Sequence, residues 1–186
     1  SGETPRLNGS RSEAMRIADS LAGMLGQVHG TPRVPGAPSV TWADSVESLV
    51  ADCRCEAYRD QGRQATIGAA RKRLLRADPG LRGSHGDVKI GNIVTGEDET
   101  AYLVDWEHVK LQSKYFDLAK AELRILRSHF KHGEGIDSCI DRFRRAYPEQ
   151  IDERILTALE LLKAFRIRGR LERRGPFKDW VERRSE

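Results

Sequence analysis

The stretch SHGDVKIGNIVTGEDETAYLVDWE, residues 84–107, concentrates polar residues of catalytic type at fixed spacing between short apolar runs. Residues 93–94 and 100–104 are apolar enough to form two strands, and the intervening GEDE predicts a turn, so that together they predict a β-hairpin. Asn92 stands where the first strand starts and Asp105 where the second ends. We therefore expect these two side chains to approach each other at the open end of the hairpin.

The loop that leads into this hairpin carries two further polar groups, His85 and Asp87. A side chain on such a loop can be exposed while the hairpin anchors the backbone. Magnesium prefers hard oxygen ligands and takes few of them from the protein when phosphates and water supply the rest, and Asn92 and Asp105 suit that need. Asp87 is placed to orient a substrate hydroxyl or accept its proton. The stretch predicts phosphoryl transfer from a nucleoside triphosphate.

The spacing of these residues resembles that of two groups of kinases. The catalytic loop of protein kinases has H-R-D, four free positions and N, with a metal-binding Asp further on. HGDVKIGN, residues 85–92, has the same spacing but carries Gly86 in place of the arginine. With that glycine, with VDWE at residues 104–107 and with Asp117 beyond it, the chain resembles the aminoglycoside phosphotransferase and choline kinase-like family over about residues 14–169.

The resemblance implies a mainly α fold with a small β-hairpin, the large C-terminal lobe of a protein-kinase-like fold. It implies ATP and Mg²⁺ as cofactors and a hydroxyl acceptor such as an aminoglycoside, choline or a sugar. By the same resemblance Asp87 is the catalytic base, and Asn92 and Asp105 hold magnesium and with it the nucleotide. His85 braces the loop, and Asp117 ties the loop backbone from below.

Lys89 departs from the pattern of the antibiotic kinases. It follows Asp87 by two residues, where kinases acting on serine or threonine often carry lysine. A lysine there neutralises charge on the transferring phosphate, so we count it among the catalytic residues and keep a peptide or protein hydroxyl as an alternative acceptor. The other interpretation is an exposed loop lysine without a role. Glu107 either assists a second metal or a cationic acceptor, or is simply solvated.

The small lobe of a kinase is not recognisable in this sequence. No G-x-G-x-x-G occurs, and no strand-rich segment before Ala14 carries a phosphate-binding lysine. Three explanations remain: a shortened chain, a split kinase whose small lobe is a partner chain, or a non-catalytic interaction module. The intact HGDVKIGN and VDWE argue against the module.

Composition sets the broad class. The 38% hydrophobic content fits one soluble domain, and no apolar run reaches membrane-spanning length, so a cytoplasmic protein without a membrane partner is expected. The formal net charge is only +4, and the basic tail from about residue 166 lacks an aromatic stacking motif, which argues against a nucleic-acid partner. The three cysteines are predicted to be reduced.

The remaining sequence is mainly helical in pattern. Residues 1–12 predict a flexible tail and residues 13–186 a single lobe. His29 is expected to be a helix-end or packing residue, and the basic run within residues 71–76 a solvated face. The apolar periodicity predicts helices over residues 13–29, 45–61, 64–77, 117–130, 136–147 and 151–167.

Overall fold

The computed structural model describes residues 11–31, 34–55, 61–96, 101–129 and 136–171. This part of the chain contains six α-helices and two small antiparallel sheets of two strands each. The mainly α architecture predicted from the sequence is confirmed. The helices are α1 (Arg11–Gly30), α2 (Trp42–Cys55), α3 (Gln61–Leu75), α4 (Tyr115–His129), α5 (Ile136–Ala146) and α6 (Glu153–Leu171), and the strands are β1 (Arg82–Ser84), β2 (Ile93–Thr95), β3 (Ala101–Leu103) and β4 (Lys110–Gln112).

The predicted hairpin is present as β2 and β3, which pair with Ile93 opposite Leu103 and Thr95 opposite Ala101. Its turn, residues 97–100, lies outside the described residues. The second sheet was not predicted. There β1 pairs with β4, Ser84 lying opposite Lys110, because two three-residue strands carry no alternation that a sequence pattern can register.

The β1–β4 sheet closes the chain around the candidate site. The strand β1 ends at Ser84, immediately before the HGD loop, and β4 begins shortly after VDWE. The middle residue of β1, Gly83, also donates its backbone N–H to the Thr31 carbonyl, 3.2 Å away, just beyond α1. The segment that contains the loop and the hairpin therefore starts and ends at the paired strands β1 and β4, which are bonded to the end of α1.

The predicted helices all occur, with shifted ends. The end of α6 moves from residue 167 to Leu171, and α2 begins at Trp42 and not at residue 45. The Thr41 hydroxyl accepts the Asp44 backbone N–H at 3.0 Å and also lies 2.6 Å from the Asp44 carboxylate, so TWAD is a helix-starting cap. The expected end of α2, residue 61, is the first residue of α3, and residues 56–60 lie outside the described part.

The core is formed by the apolar faces of the helices. Leu25 on α1, Leu118 on α4, Phe143 on α5 and Leu159 on α6 are among its fully buried side chains. In the described part of the chain, Cys53 and Cys139 are buried free thiols, as predicted. The side chain of Cys55 is outside the description.

The first and last described helices can be compared with the predicted limits of the two tails. Arg11 and Ser12, assigned from the sequence to the tail, are the first residues of α1, while residues 1–10 lie outside the described part. The basic segment from residue 166 continues as helix to Leu171, and residues 172–186 are likewise outside. Over the ranges described, no helix has the length and apolar character needed to cross a membrane.

Candidate functional site

Asp117, in the first turn of α4, holds the backbone of the HGD loop. Its Oδ2 accepts the His85 backbone N–H at 2.8 Å and the Ser84 hydroxyl at 2.9 Å. Its Oδ1 accepts the Gly86 backbone N–H at 3.1 Å. Three donors from consecutive residues thus converge on one fully buried carboxylate. These are the contacts that the resemblance implied for Asp117.

His29 supports the same carboxylate from the end of α1. Its Nε2 lies 3.3 Å from Asp117 Oδ2, and its Nδ1 lies 2.8 Å from the Tyr147 hydroxyl, just after α5. Burial alone raises the pKa of Asp117, but the hydrogen bond and charge of His29, the charge of Lys120 and the Ser84 hydroxyl lower it below its ordinary value. The sequence placed His29 as a packing residue, which is correct, and did not reveal its carboxylate partner.

Gly86 occupies a conformation that other residues rarely adopt, with φ at 80°. A Cβ on it would overlap the His108 carbonyl oxygen and lie 3.2 Å from the His108 Cβ. The backbone of the loop passes this close to the residues following the hairpin because no side chain stands between them. This explains physically why glycine stands here instead of the arginine of protein kinases.

His85 joins the loop to the end of β3. Its Nε2 lies 2.9 Å from the Val104 carbonyl oxygen, so this nitrogen carries the proton and donates. Its Nδ1 then accepts the Asp87 backbone N–H at 3.3 Å. The ring also contacts the Trp106 ring, at 4.7 Å between centroids. His85 is fully buried, and its contacts fit a residue that braces the loop.

Asp87 lies at the centre of a group of polar side chains. The Asn92 amide nitrogen donates to its backbone carbonyl at 3.0 Å and lies 3.4 Å from its Oδ2. Lys89 Nζ lies 2.5 Å from the same Oδ2. Burial raises the pKa of the Asp87 carboxyl, but the Lys89 hydrogen bond and the charges of Arg124, Lys89 and Lys120 outweigh it and lower the pKa. Asp87 is therefore ionised at neutral pH.

Asp105 faces the same lysine from the other side of the site. It lies two residues after the end of β3 and has a left-handed backbone, with φ at 67°, the only positive φ of a non-glycine residue in the described ranges. Such strain is concentrated at functional sites. Its Oδ2 lies 3.8 Å from Lys89 Nζ, so this ammonium group lies between the carboxylates of Asp87 and Asp105.

The strand pairing continues at the open end of the hairpin, next to Asn92 and Asp105. The Val104 N–H donates to the Asn92 carbonyl at 2.8 Å, which extends the pairing of β2 and β3 up to the two candidate ligand residues. Asn92 is buried and Asp105 is exposed at its edge. Within the described residues, no three His, Cys, Asp or Glu side chains gather into a metal-binding cluster.

Two residues of α4 that sequence reasoning missed also reach the loop. Lys120 Nζ donates to the Gly86 carbonyl, and Arg124 Nη2 lies 3.4 Å from Asp87 Oδ1. The available signal was their spacing from Asp117, three and then four residues, which puts all three on one helix face. Glu107 is exposed and pairs with the His108 ring at 3.3 Å.

The chain is similar to known proteins in sequence pattern and in fold. A family model described as the phosphotransferase enzyme family matches residues 1–156. No sequence among the curated proteins matches this chain.

Several solved structures share the fold at low sequence identity. A spectinomycin phosphotransferase, APH(9)-Ia, in complex with ADP and spectinomycin is 17% identical with a TM-score of 0.56, covering 98% of this chain and 63% of that one. An aminoglycoside-3'-phosphotransferase of type VIII is 20% identical with a TM-score of 0.65, covering 89% and 66%. The choline kinase LicA from Streptococcus pneumoniae is 16% identical with a TM-score of 0.58, covering 92% and 62%. The chain thus spans slightly less than two thirds of each of these proteins.

Proposed function

This chain belongs to the phosphotransferase enzyme family, and we propose that it is the catalytic lobe of an ATP- and magnesium-dependent kinase acting on a hydroxyl group. The observation that carries the proposal is the arrangement of Asp87, Lys89 and Asp105 as carboxylate, ammonium and carboxylate, with separations of 2.5 and 3.8 Å. Such an arrangement binds anionic phosphate and a metal ion beside a group that accepts a proton.

Asp87 is the proposed base. The ionised carboxylate accepts a hydrogen bond from the acceptor hydroxyl and takes its proton as the new P–O bond forms and the bond from the γ-phosphorus to ADP breaks. Its low pKa makes it a weak base, which suits a transition state in which charge is spread over the phosphoryl oxygens and positioning matters most.

Asn92 and Asp105 are the proposed magnesium ligands. Their side-chain oxygens are the hard donors that this ion prefers, and the Asn92 amide nitrogen is turned to Asp87, so its oxygen is the atom left to bind a cation. The ammonium between Asp87 and Asp105 shows that the position draws positive charge. Bound magnesium would neutralise the nucleotide phosphates and hold them in line with the acceptor.

Lys89 is proposed to bind the phosphoryl group during its transfer. It is held by opposing carboxylates and its side chain is 38% exposed, so it can turn toward a phosphate without leaving a buried site. Its positive charge would then stabilise the negative charge on the phosphoryl oxygens in the transition state. His85 and Asp117 hold the loop in position.

The acceptors implied by the resemblance are small molecules that carry a hydroxyl. Of the solved structures that share the fold, one is a complex with ADP and spectinomycin and another carries the name choline kinase. A glycine-rich loop over the phosphates is missing from the 186 residues, so a small lobe would have to come from outside them, including from a partner chain.

The first test is calorimetric titration of the chain with ATP and magnesium. We expect binding that weakens at least tenfold in Asp105→Ala and stays unchanged in Asp141→Ala, which removes an exposed carboxylate from α5. Equal affinity in the two variants would contradict the assigned nucleotide site.

Asp87→Ala tests catalysis against a non-catalytic module. With a complete enzyme, the substitution should abolish phosphoryl transfer while circular dichroism and thermal unfolding show a folded protein. Retention of biological activity by that variant would favour the interaction module.

A further inference from the structure

Gly86 is held by α4 through both of its backbone polar groups. Its N–H donates to Asp117 Oδ1 at 3.1 Å, and its carbonyl oxygen accepts a hydrogen bond from Lys120 Nζ. Asp117 and Lys120 are three residues apart, so they lie on the same face of the helix. One carboxylate that accepts and one ammonium that donates therefore bind the two polar groups of a single glycine.

The Gly86 carbonyl belongs to the peptide unit that leads into the proposed base. The other polar group of that unit, the Asp87 N–H, donates to His85 Nδ1 at 3.3 Å, which is a long hydrogen bond. In the part of the chain that the structure describes, no donor other than Lys120 reaches the Gly86 carbonyl. Since the bond from Lys120 is charge-assisted, it is the stronger of the two bonds that hold this peptide unit.

Glycine allows this peptide unit to rotate. Gly86 has a φ of 80° and no Cβ, so its backbone restricts the orientation of the following peptide less than any other residue would. A rotated unit would turn the Asp87 N–H away from His85 and change the direction in which the Asp87 side chain leaves the loop. Bonds from outside the loop backbone must therefore select the orientation.

The contact made by Lys120 differs from those of the other cations near the proposed base. Lys89 and Arg124 contact the Asp87 carboxylate, whereas Lys120 donates to the backbone directly before it. Burial lowers the pKa of Lys120, and the charges of Asp117 and Asp87 oppose that effect. The ammonium is therefore partly buried close to both carboxylates while its hydrogen bond goes to the peptide.

We propose that Lys120 is a positioning residue: by holding the Gly86 carbonyl, it fixes the Gly86–Asp87 peptide and with it the direction of the Asp87 carboxylate. This inference rests on the proposed phosphotransferase function and adds to it a residue that acts through the backbone. Asp117 and His85 bind N–H groups of the loop, and Lys120 binds the carbonyl between them.

Amide hydrogen exchange, followed by NMR on the full chain, tests the proposal. Lys120→Met removes the donor and keeps a long side chain. We expect the Asp87 N–H to exchange at least tenfold faster in this variant, while the protected amides of α1 change less than about threefold, because the opening is local. Lys120→Arg keeps a cationic donor and should restore slow exchange. The control is Lys72→Met, an exposed lysine on α3, which should leave the Asp87 amide unchanged.

A carboxyl NMR titration of Asp87 in the same variants separates positioning from charge. Loss of a nearby positive charge raises the pKa of Asp87 even if the peptide does not move. A raised pKa with unchanged exchange of the Asp87 N–H would therefore overturn the proposal, and so would faster exchange of all amides in equal proportion. If Lys120→Met does not fold, Lys120→Gln, which is uncharged and one atom shorter, is measured with the same expectations.

Titration of ATP and magnesium into the wild-type sample tests the underlying function separately. Unchanged Asp87 exchange in Lys120→Met, together with intact ATP binding to the wild type, overturns the role of Lys120 alone. Faster Asp87 exchange in the variant without ATP binding to the wild type supports the hold of Lys120 on the loop and contradicts the nucleotide site.

Discussion

The imidazole Nε2 of His29 lies 3.3 Å from Oδ2 of Asp117, and both side chains are fully buried. This contact joins the end of α1 to the start of α4 directly beneath the HGD loop. Since the same Oδ2 accepts the His85 N–H and the Ser84 hydroxyl, the loop depends on a carboxylate that three parts of the chain hold in place.

Asp117→Asn should lower the free energy of unfolding by about 3 kcal/mol. An amide would turn N–H groups toward donors that now point at a carboxylate, leaving buried groups unsatisfied. Urea unfolding measures the change, and Asp141→Asn on the exposed face of α5 is the control. A loss below about 1 kcal/mol would show that the loop holds its shape without this carboxylate.

The free energy of unfolding should depend on pH through the ionisation of Asp117. The pKa of Asp117 is lower in the folded protein than the value of about 3.9 of an unfolded chain, so its stabilisation is present above about pH 4. It is lost as the pH falls through the folded-state pKa. Thermal unfolding between pH 6 and 3 should show a steeper decline in wild type than in Asp117→Asn, and parallel curves would contradict the assignment.

Gly86→Ala should cost more than Gly80→Ala. Both glycines have positive φ, 80° and 68°, but a Cβ at Gly80 meets no atom within 4 Å whereas one at Gly86 overlaps the His108 carbonyl. We expect about 1 kcal/mol for the backbone strain at Gly80 and at least about 2 kcal/mol more at Gly86. Denaturant unfolding of both variants, with Gly91→Ala as a variant in open space, checks the difference.

Arg144→Ala should destabilise the protein by about 3–5 kcal/mol. Its guanidinium binds the buried Glu122 through two hydrogen bonds of 2.8 and 2.7 Å and lies 3.8 Å from the buried Glu160. Removing it leaves two carboxylates in the core between α4 and α6. The matched control is Arg142→Ala, two residues away, which breaks an exposed pair with Asp19 and should cost at most about 1 kcal/mol.

Lys89→Met should raise the pKa of Asp87. The Lys89 hydrogen bond is the largest of the effects that lower this pKa, and removing it leaves burial opposed only by Arg124 and Lys120. A carboxyl NMR titration measures the shift. In a complete enzyme the same variant should lose at least about tenfold in turnover, and a smaller loss would count against a role for Lys89 in the transition state.

The sequence by itself determined the elements that depend on local patterns. Apolar periodicity located the helices and the two apolar runs located the hairpin. The H-G-D-x-x-x-x-N spacing located the candidate base and Asn92, and the VDWE beyond it located Asp105. Each of these features is carried by residues close together in the chain, where spacing alone decides which face a side chain shares.

Only the tertiary structure decided how that loop is supported and what surrounds it. The β1–β4 pairing, the contact of His29 with Asp117 across 88 residues, and the approach of Arg124 to Asp87 across 37 all join distant segments. Strands of three residues are too short to show a periodic pattern. The sequence around an arginine on a helix is the same whether its side chain faces solvent or a carboxylate. The charge beside the proposed base therefore depends on how α4 and α6 pack, which the order of residues alone does not reveal.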